Sequence, residues 1–308
     1  MTTVVLVVPD ENPKTKQDFH RIAAAIRSQG ISARLVRHKR SEQIPLLPLW
    51  LSRSMSIAMV RRTDRKLLPG KFFSGVIGNK IDEYRTLSAA GVSVPRWEEL
   101  RPDTKLDPAE WGPYVVEKPS VGRAGANVRI RKIGRVKFAD RASYPPDHLG
   151  RRGPMIVQKF VYTGEWPVSY RVITVFGEVV LCIRQTTRRG EPLRARWDFG
   201  KGGGTAIVSN TQSMDVVLDA NPEMIEIAKA THRSAFPDVP LLNFDMVKDI
   251  ETGEIAVLEC HPRYPNWPFS AANHASLQHA NGIDYDSQFD AMPTIGRAIA
   301  RKVAEAFS

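Results

Sequence analysis

Two apolar runs near the C-terminal end, NFDMV (243–247) and AVLE (256–259), flank the turn-rich segment KDIETGE and read as one β-hairpin. Side chains alternate along a strand, so Glu259 and His261 share a face while Cys260 between them points the other way. A loop centred on Thr252 sets Asp245 opposite Glu259 on that face. A two-residue turn at Thr252 and Gly253 would set Asp245 against Cys260 instead. An odd-length loop is therefore expected, with Asp245, Glu259 and His261 as one cluster. Two carboxylates this close repel unless a cation or a shared proton intervenes, and hard oxygen donors suit Mg2+. Cys260 is expected to be a small buried hydrophobe.

At 308 residues the chain can bury more than one core, so two or three sub-domains are expected. Its formal charge of +11 and pI near 9.8 call for an anionic partner: nucleic acid, a phosphate-rich cofactor or a polycarboxylate substrate. Two cysteines are too few for a disulfide framework, which favours a reducing, cytoplasmic setting. The opening TTVVLVVPDENP has no preceding basic region and reads as a buried first strand rather than a signal peptide. No apolar stretch approaches the roughly 20 residues of a membrane helix. Neither GxxxxGK[ST], GxGxxG after the first strand, HExxH nor CxxC occurs, which removes the commonest nucleotide, zinc and redox motifs.

The N-terminal pattern is β-α-β, with a strand over 4–8 and a second over 31–36. The helix between them is expected to start near Thr15, with Asp18 completing a capping box. Phe19, Ile22, Ala23 and Ile26 recur at helical spacing, and Gly30 stops the helix. Residues 44–59 carry two prolines and mixed periodicity and receive no assignment. A helix over 79–90 has Asn79 as its cap and Gly91 as its stop. Strands and turns follow from 114, then a helix over 222–236, the hairpin, and a closing helix ending at Phe307.

YVVEKPSVGRAGANVRI (114–130) is a strand ending at Lys118 and Pro119, a small-residue loop with Gly122 and Gly125, and another strand. Such a loop can fold backbone N–H groups around phosphate, with the lysine as a point charge. Downstream, a type II′ turn at Gly177 and Glu178 would put Arg171 directly opposite Arg184. Facing like charges repel by a few tenths to about 1 kcal/mol, which asks for a shared anion or a solvated outer face. RQTTRRGEPLRARWDFGKGGG, with Trp197 among its arginines, reads either as a solvated basic loop or as a lid for carboxylates or phosphates. Arg263, His274 and His279 could line the same mouth.

In chain order these pieces resemble the ATP-grasp superfamily, in its carboxylate–amine ligase branch of glutathione-synthetase-like enzymes, ribosomal-protein glutamate ligases and D-alanine–D-alanine ligases. The likeness runs from about Asn79 to the C-terminus. NKIDEYRTLSAAGVSVP resembles the family's DK…aGi..P helix, with Lys80 as its lysine. VVEKPSVGRAGANV resembles its second lysine and phosphate-covering loop, which implicates Lys118, Ser120, Gly122 and Gly125. VQKFVYTGEW resembles the hinge that holds adenine, here Gln158, Lys159, Phe160 and Val161, with Glu165 matching the ribose-binding acid. YRVITVFGEVVLCIR resembles the hairpin whose arginines, Arg171 and Arg184, would stabilise γ-phosphate or acyl-phosphate charge. FDMVKDIETGEIAVLECHPRYPN is similar to the metal-binding hairpin, with Asp245, Glu259 and, where the family usually has Asn, His261. Imidazole coordinates Mg2+ or Mn2+ more softly and loses metal affinity when protonated, below about pH 6.5. RWDFGKGGG puts Asp198 and Lys201 where ribosomal-protein ligases have Asn and Arg, which makes Lys201 a catalytic candidate.

The resemblance implies an α/β (α+β) fold: a pre-grasp α/β domain over 1–78, a linker helix and small ATP-grasp lobe over 79–162, and a large lobe with the metal site over 163–308, the two α+β lobes sandwiching ATP. It implies an ATP- and Mg2+-dependent (or Mn2+-dependent) ligase joining a small-molecule or peptide carboxylate to an amine through an acyl phosphate. The substrates are expected to be anionic, with no membrane partner and homo-oligomers allowed. Three rivals stand beside it: a phosphotransferase on the same fold, a non-catalytic basic protein binding anions or nucleic acid, and a degenerate ATP binder suggested by His261. The second leaves Asp245 and Glu259 on one face unexplained.

Overall fold

The computed structural model describes residues 2–9, 12–37, 53–59, 68–75, 78–122, 125–187, 214–261 and 266–308. Arg123, Trp197, Asp198, Lys201 and Arg263 lie outside them. β1 (Thr3–Val8), β2 (Ser32–Arg37), β3 (Ser54–Ala58) and β4 (Lys71–Ser74) form a parallel sheet in the order β2-β1-β3-β4. β1 is buried along its whole length, as a central parallel strand covered on both faces should be. α1 (Pro13–Arg27) does not begin at Thr15. Asn12 caps it by accepting from the Thr15 N–H, and Pro13 takes the first turn, where a missing N–H costs nothing. Asp18 instead faces inward and accepts from Trp267 Nε1 at 2.9 Å and Ser270 Oγ at 2.6 Å.

α2 (Lys80–Ala89) carries the expected Asn79 cap, completed by Asp82 as a capping box. A second, antiparallel sheet contains β5 (Trp97–Glu99), β6 (Tyr114–Pro119), β7 (Arg129–Lys132) and β8 (Met155–Lys159) in the order β5-β8-β6-β7, with the short α3 (Pro108–Trp111) preceding β6. The third sheet is antiparallel, in the order β11-β10-β9-β12-β13. Its strands are β9 (Val168–Val175), β10 (Glu178–Thr187), β11 (Met214–Leu218), β12 (Leu241–Lys248) and β13 (Ile255–His261). α4 (Pro222–Ala235) precedes β12, and α5 (Ala272–Asn281) and α6 (Ala291–Phe307) close the chain. Among the described residues no helix is long and apolar enough to cross a membrane.

Each face of the third sheet belongs to a different core. Ile173, Leu181, Ile183 and Leu241 pack with Val4, Phe19 and Ile22 of the first sheet and α1, and with Ile295 and Ile299 of α6. Val172, Cys182, Phe244 and Cys260 face the other way, onto α4 and the Ile81, Tyr84 and Leu87 stripe of α2. Both cysteines are buried free thiols, and burial pushes Cys182 up to about 12. α2 and the loop after it also cover the open edge of β13. Tyr84 Oη donates to the Leu258 carbonyl at 2.6 Å, Ser93 O accepts from Val257 N at 2.9 Å, and the Glu83 carboxylate accepts from Cys260 N.

Two registers differ from those expected. The β9–β10 turn is Phe176–Gly177, both at positive φ (45° and 80°), one residue earlier than Gly177 and Glu178. A bulge at 179–181 then shifts the pairing again, so Arg171 faces Ile183 and Arg184 faces Tyr170. In the β12–β13 hairpin Asp245 does pair with Glu259, but not through an odd-length loop. Lys248 pairs with Ile255 across the even loop 249–254, and a bulge between Asp245 and Met246 supplies the extra residue.

Candidate active site

The bulge brings Asp245 and Glu259 side by side, and His261, two residues on, lies over both. His261 Nε2 is 2.9 Å from Glu259 Oε2 and 3.6 Å from Asp245 Oδ2. One donor atom from each of the three residues fits within 4.8 Å of the others, about twice the length of a divalent-cation–oxygen bond. Two carboxylates and an imidazole therefore have the spacing and donor hardness of a Mg2+ or Mn2+ site. Arg171, across from Asp245 on β9, binds that carboxylate with two parallel contacts, Nε–Oδ1 at 2.9 Å and Nη2–Oδ2 at 3.1 Å.

Lysines approach from the second sheet's side. Lys80 opens α2, and its Nζ reaches Glu259 Oε1 at 3.2 Å and the Gly122 carbonyl at 3.2 Å. Lys118 ends β6, 3.9 Å from the same Glu259 oxygen, and donates to Tyr84 Oη at 2.7 Å. Gly122 sits at φ 119°, a backbone conformation that side chains rarely adopt, so this bend favours glycine. Gly125 also has positive φ, at 69°. Ser120 links the strand end to α2 through its carbonyl, which accepts from Lys80 N at 2.9 Å.

The charges hold one another. Burial alone would raise the Asp245 carboxyl, but Arg171 and His261 outweigh it and keep it well below the usual range. Burial likewise opposes ionisation of Glu259, and His261, Lys118 and Lys80 overcome it. Burial would neutralise His261, yet hydrogen bonds to Asp245 and Glu259 carry it up to about 10, so the imidazolium stands between the carboxylates when no metal does. Burial, then repulsion from Glu259, moves Glu83 up to about 7.

Other expected residues take different places. Arg184 lies on the opposite face from Arg171, against Asp219 (Nε–Oδ2 3.2 Å), so the two arginines share no anion. The cause is the turn and bulge described above, which move Arg184 one place along the pleat. Glu165 is exposed on the loop between β8 and β9 and joins no ion pair among the described residues. Lys159 ends β8, its N–H donating to Arg96 O at 2.7 Å, and half-buried Phe160 and Val161 follow it. Gln158 is buried and donates Nε2 to Tyr84 Oη at 3.1 Å. His274 of α5 is held neutral, down to about 4, by burial and then by the Arg171 charge, while His279 is exposed.

Three buried polar residues on these elements were given no site role by the sequence. Tyr84 Oη accepts from Lys118 and Gln158 while donating to Leu258 O, which uses its one proton and both lone pairs. Helical spacing marks Tyr84 only as a core residue. Gln185 takes the face Arg184 was expected to occupy, with its Nε2 buried and unpartnered. Asn243 lies two residues before Asp245 and opposite His261, with Oδ1 buried and unpartnered. Strand alternation alone could have found Asn243.

No family model and no curated protein matches the chain. Solved structures do. The D-cycloserine synthetase DcsG is 14% identical over 98% of this chain and 99% of its own, with a TM-score of 0.54. D-alanine–D-alanine ligase from Bacillus anthracis complexed with ATP is 14% identical, covers 98% of each chain and has a TM-score of 0.50. The ATP-grasp ligase PsnB complexed with a minimal precursor is 14% identical over 96% of this chain and 100% of its own, also at 0.50. With the two-sheet arrangement around the Asp245, Glu259 and His261 cluster, that likeness over nearly the whole length shows that the chain has the ATP-grasp fold.

Proposed function

We propose that the protein is an ATP-dependent ligase that activates a carboxylate as an acyl phosphate and transfers the acyl group to an amine, releasing ADP and phosphate. The observation that carries this reading is the meeting of Lys80, Lys118 and the three-residue cluster at Glu259, brought from α2, β6 and the β12–β13 hairpin. Lys80 and Lys118 would neutralise triphosphate charge. A divalent ion on Asp245, Glu259 and His261 would supply further charge neutralisation at the transferred phosphoryl group. The substrate carboxylate oxygen attacks the γ-phosphorus, the bond to ADP breaks, and the amine then displaces phosphate from the acyl carbon. Arg171, fixed by Asp245, presents its guanidinium beside that charge. Positioning and electrostatics suffice for such chemistry, and no side-chain nucleophile is required. The neighbours named as ligases support this reading by fold.

The test is a phosphate-release screen across amino-acid, hydroxy-acid and peptide carboxylates paired with amines, with Glu259→Gln as the control. Turnover by the parent and a loss on the order of a hundredfold or more in Glu259→Gln are expected. Failure of the parent to bind ATP by calorimetry, with Mg2+ or Mn2+ present, would overturn the proposal. ADP formation without free phosphate would replace the ligase with a phosphotransferase.

A further inference from the structure

Asn243 is 2% exposed, and its Nδ2 lies 3.4 Å from Asp245 Oδ1. That contact orients the amide, because turning it over would set a carbonyl oxygen against a carboxylate. Oδ1 is consequently a buried acceptor with no partner, on a residue whose amide Nδ2 contacts Asp245 and which pairs across the strands with His261. Leaving such an acceptor unmatched forfeits its hydration with nothing in return, and native interiors rarely tolerate it. The nearby donors are committed: Arg171 makes its parallel contacts to Asp245, and His261 Nε2 faces Glu259 and Asp245. A cation would satisfy a neutral, hard oxygen on this face. We propose that the Asn243 carboxamide oxygen is a fourth protein ligand of the divalent ion held by Asp245, Glu259 and His261. It adds from β12 a hard donor to a set that His261 makes softer, and so favours Mg2+ and Mn2+ over Zn2+.

This inference rests on the metal reading above and is tested without turnover. Mn2+ binding to the intact protein is titrated by electron paramagnetic resonance and by calorimetry, for the parent, Asn243→Ala and Asn243→Asp, with circular dichroism verifying the fold. Asn243→Ala is expected to weaken Mn2+ binding tenfold or more and to shift preference toward Zn2+. Asn243→Asp, which adds a charged ligand oxygen, is expected to bind Mn2+ at least as tightly as the parent and to gain more in Tm when Mn2+ is added. Should Asn243→Ala fail to fold, the Asp variant decides: a weakened Mn2+ affinity there overturns the proposal. A folded Asn243→Ala that binds Mn2+ like the parent overturns the Asn243 assignment and leaves the ligase reading standing. A parent that binds no Mn2+, with or without ATP, overturns both.

Discussion

Lys118 shows how one side chain can report what enters the site. It is 4% exposed, and that burial lowers its pKa to about 8 against the opposing pull of Glu259. Near pH 8.5 a large share of it is therefore neutral in the free protein. Phosphate oxygens beside Nζ would restore the charge, so ATP binding at that pH must take up a proton. Calorimetry in buffers of different ionisation heat reads this directly. With ATP added without divalent ion, so that the His261 proton is not displaced, enthalpies should depend on buffer at pH 8.5, with uptake of more than about half a proton. Lys118→Arg keeps the charge but cannot lose its proton, and should bind ATP without buffer dependence. Buffer-independent binding by the parent at pH 8.5 would place the phosphates elsewhere. Legibility at this scale followed strand alternation: Asp245, Glu259 and His261 could be grouped from their positions on two strands. Asn243 sits on the same face, but its orphaned oxygen becomes visible only once neighbouring donors are seen to be committed.

At the scale of elements, the Tyr84 hydroxyl ties α2 to β6, β8 and the open edge of β13. Tyr84→Phe strips a partner from Lys118, Gln158 and the Leu258 carbonyl at once without opening a large cavity. A loss of about 1–3 kcal/mol in denaturant unfolding is expected, together with weaker ATP binding because Lys118 loses its anchor. A change within about 0.5 kcal/mol would show that the hydroxyl is not the clamp. The elements themselves were readable from periodicity and caps: Asn79 caps α2, and α6 ends at Phe307 as expected. Registers were less so. Alternation tells which residues of one strand share a face, but the pairing between strands depends on turns and bulges that leave no distinct mark in composition. The Asp245–Glu259 pair was expected from an odd loop, and the molecule reaches the same pairing with an even loop and a bulge. For β9 and β10 the same ignorance was not harmless, since the displaced turn and the bulge send Arg184 to the wrong side for a shared anion with Arg171.

The first sheet, α1, α6 and one face of the third sheet share a single apolar core, so the N-terminal unit packs directly beneath the face that carries Asp245, Glu259 and His261. On the other face His232 of α4 gives the whole molecule a pH limit. Its Nε2 is 2.9 Å from the Val239 carbonyl, which can only accept, so Nε2 carries the proton and Nδ1 accepts from Thr174 Oγ1 at 2.6 Å. Burial lowers this imidazole to about 4, against about 6.5 in the unfolded chain. Below pH 6.5 the unfolded chain binds a proton that the fold refuses. The stability is complete above that pH and drains away as pH falls toward 4. His261 works in the opposite sense: raised to about 10, it contributes fully below 6.5 and loses its contribution as pH climbs through 10. His274, also lowered to about 4, adds to the acid loss. Comparing the parent with His232→Asn isolates one group, since the other two titrate alike in both proteins. Urea unfolding at pH 7, 6 and 5 should show the parent losing about 2 kcal/mol more than His232→Asn over that interval, whatever fixed cost the substitution adds at pH 7. Parallel pH profiles would mean that His232 is protonated in the folded chain, with Thr174 Oγ1 accepting from Nδ1.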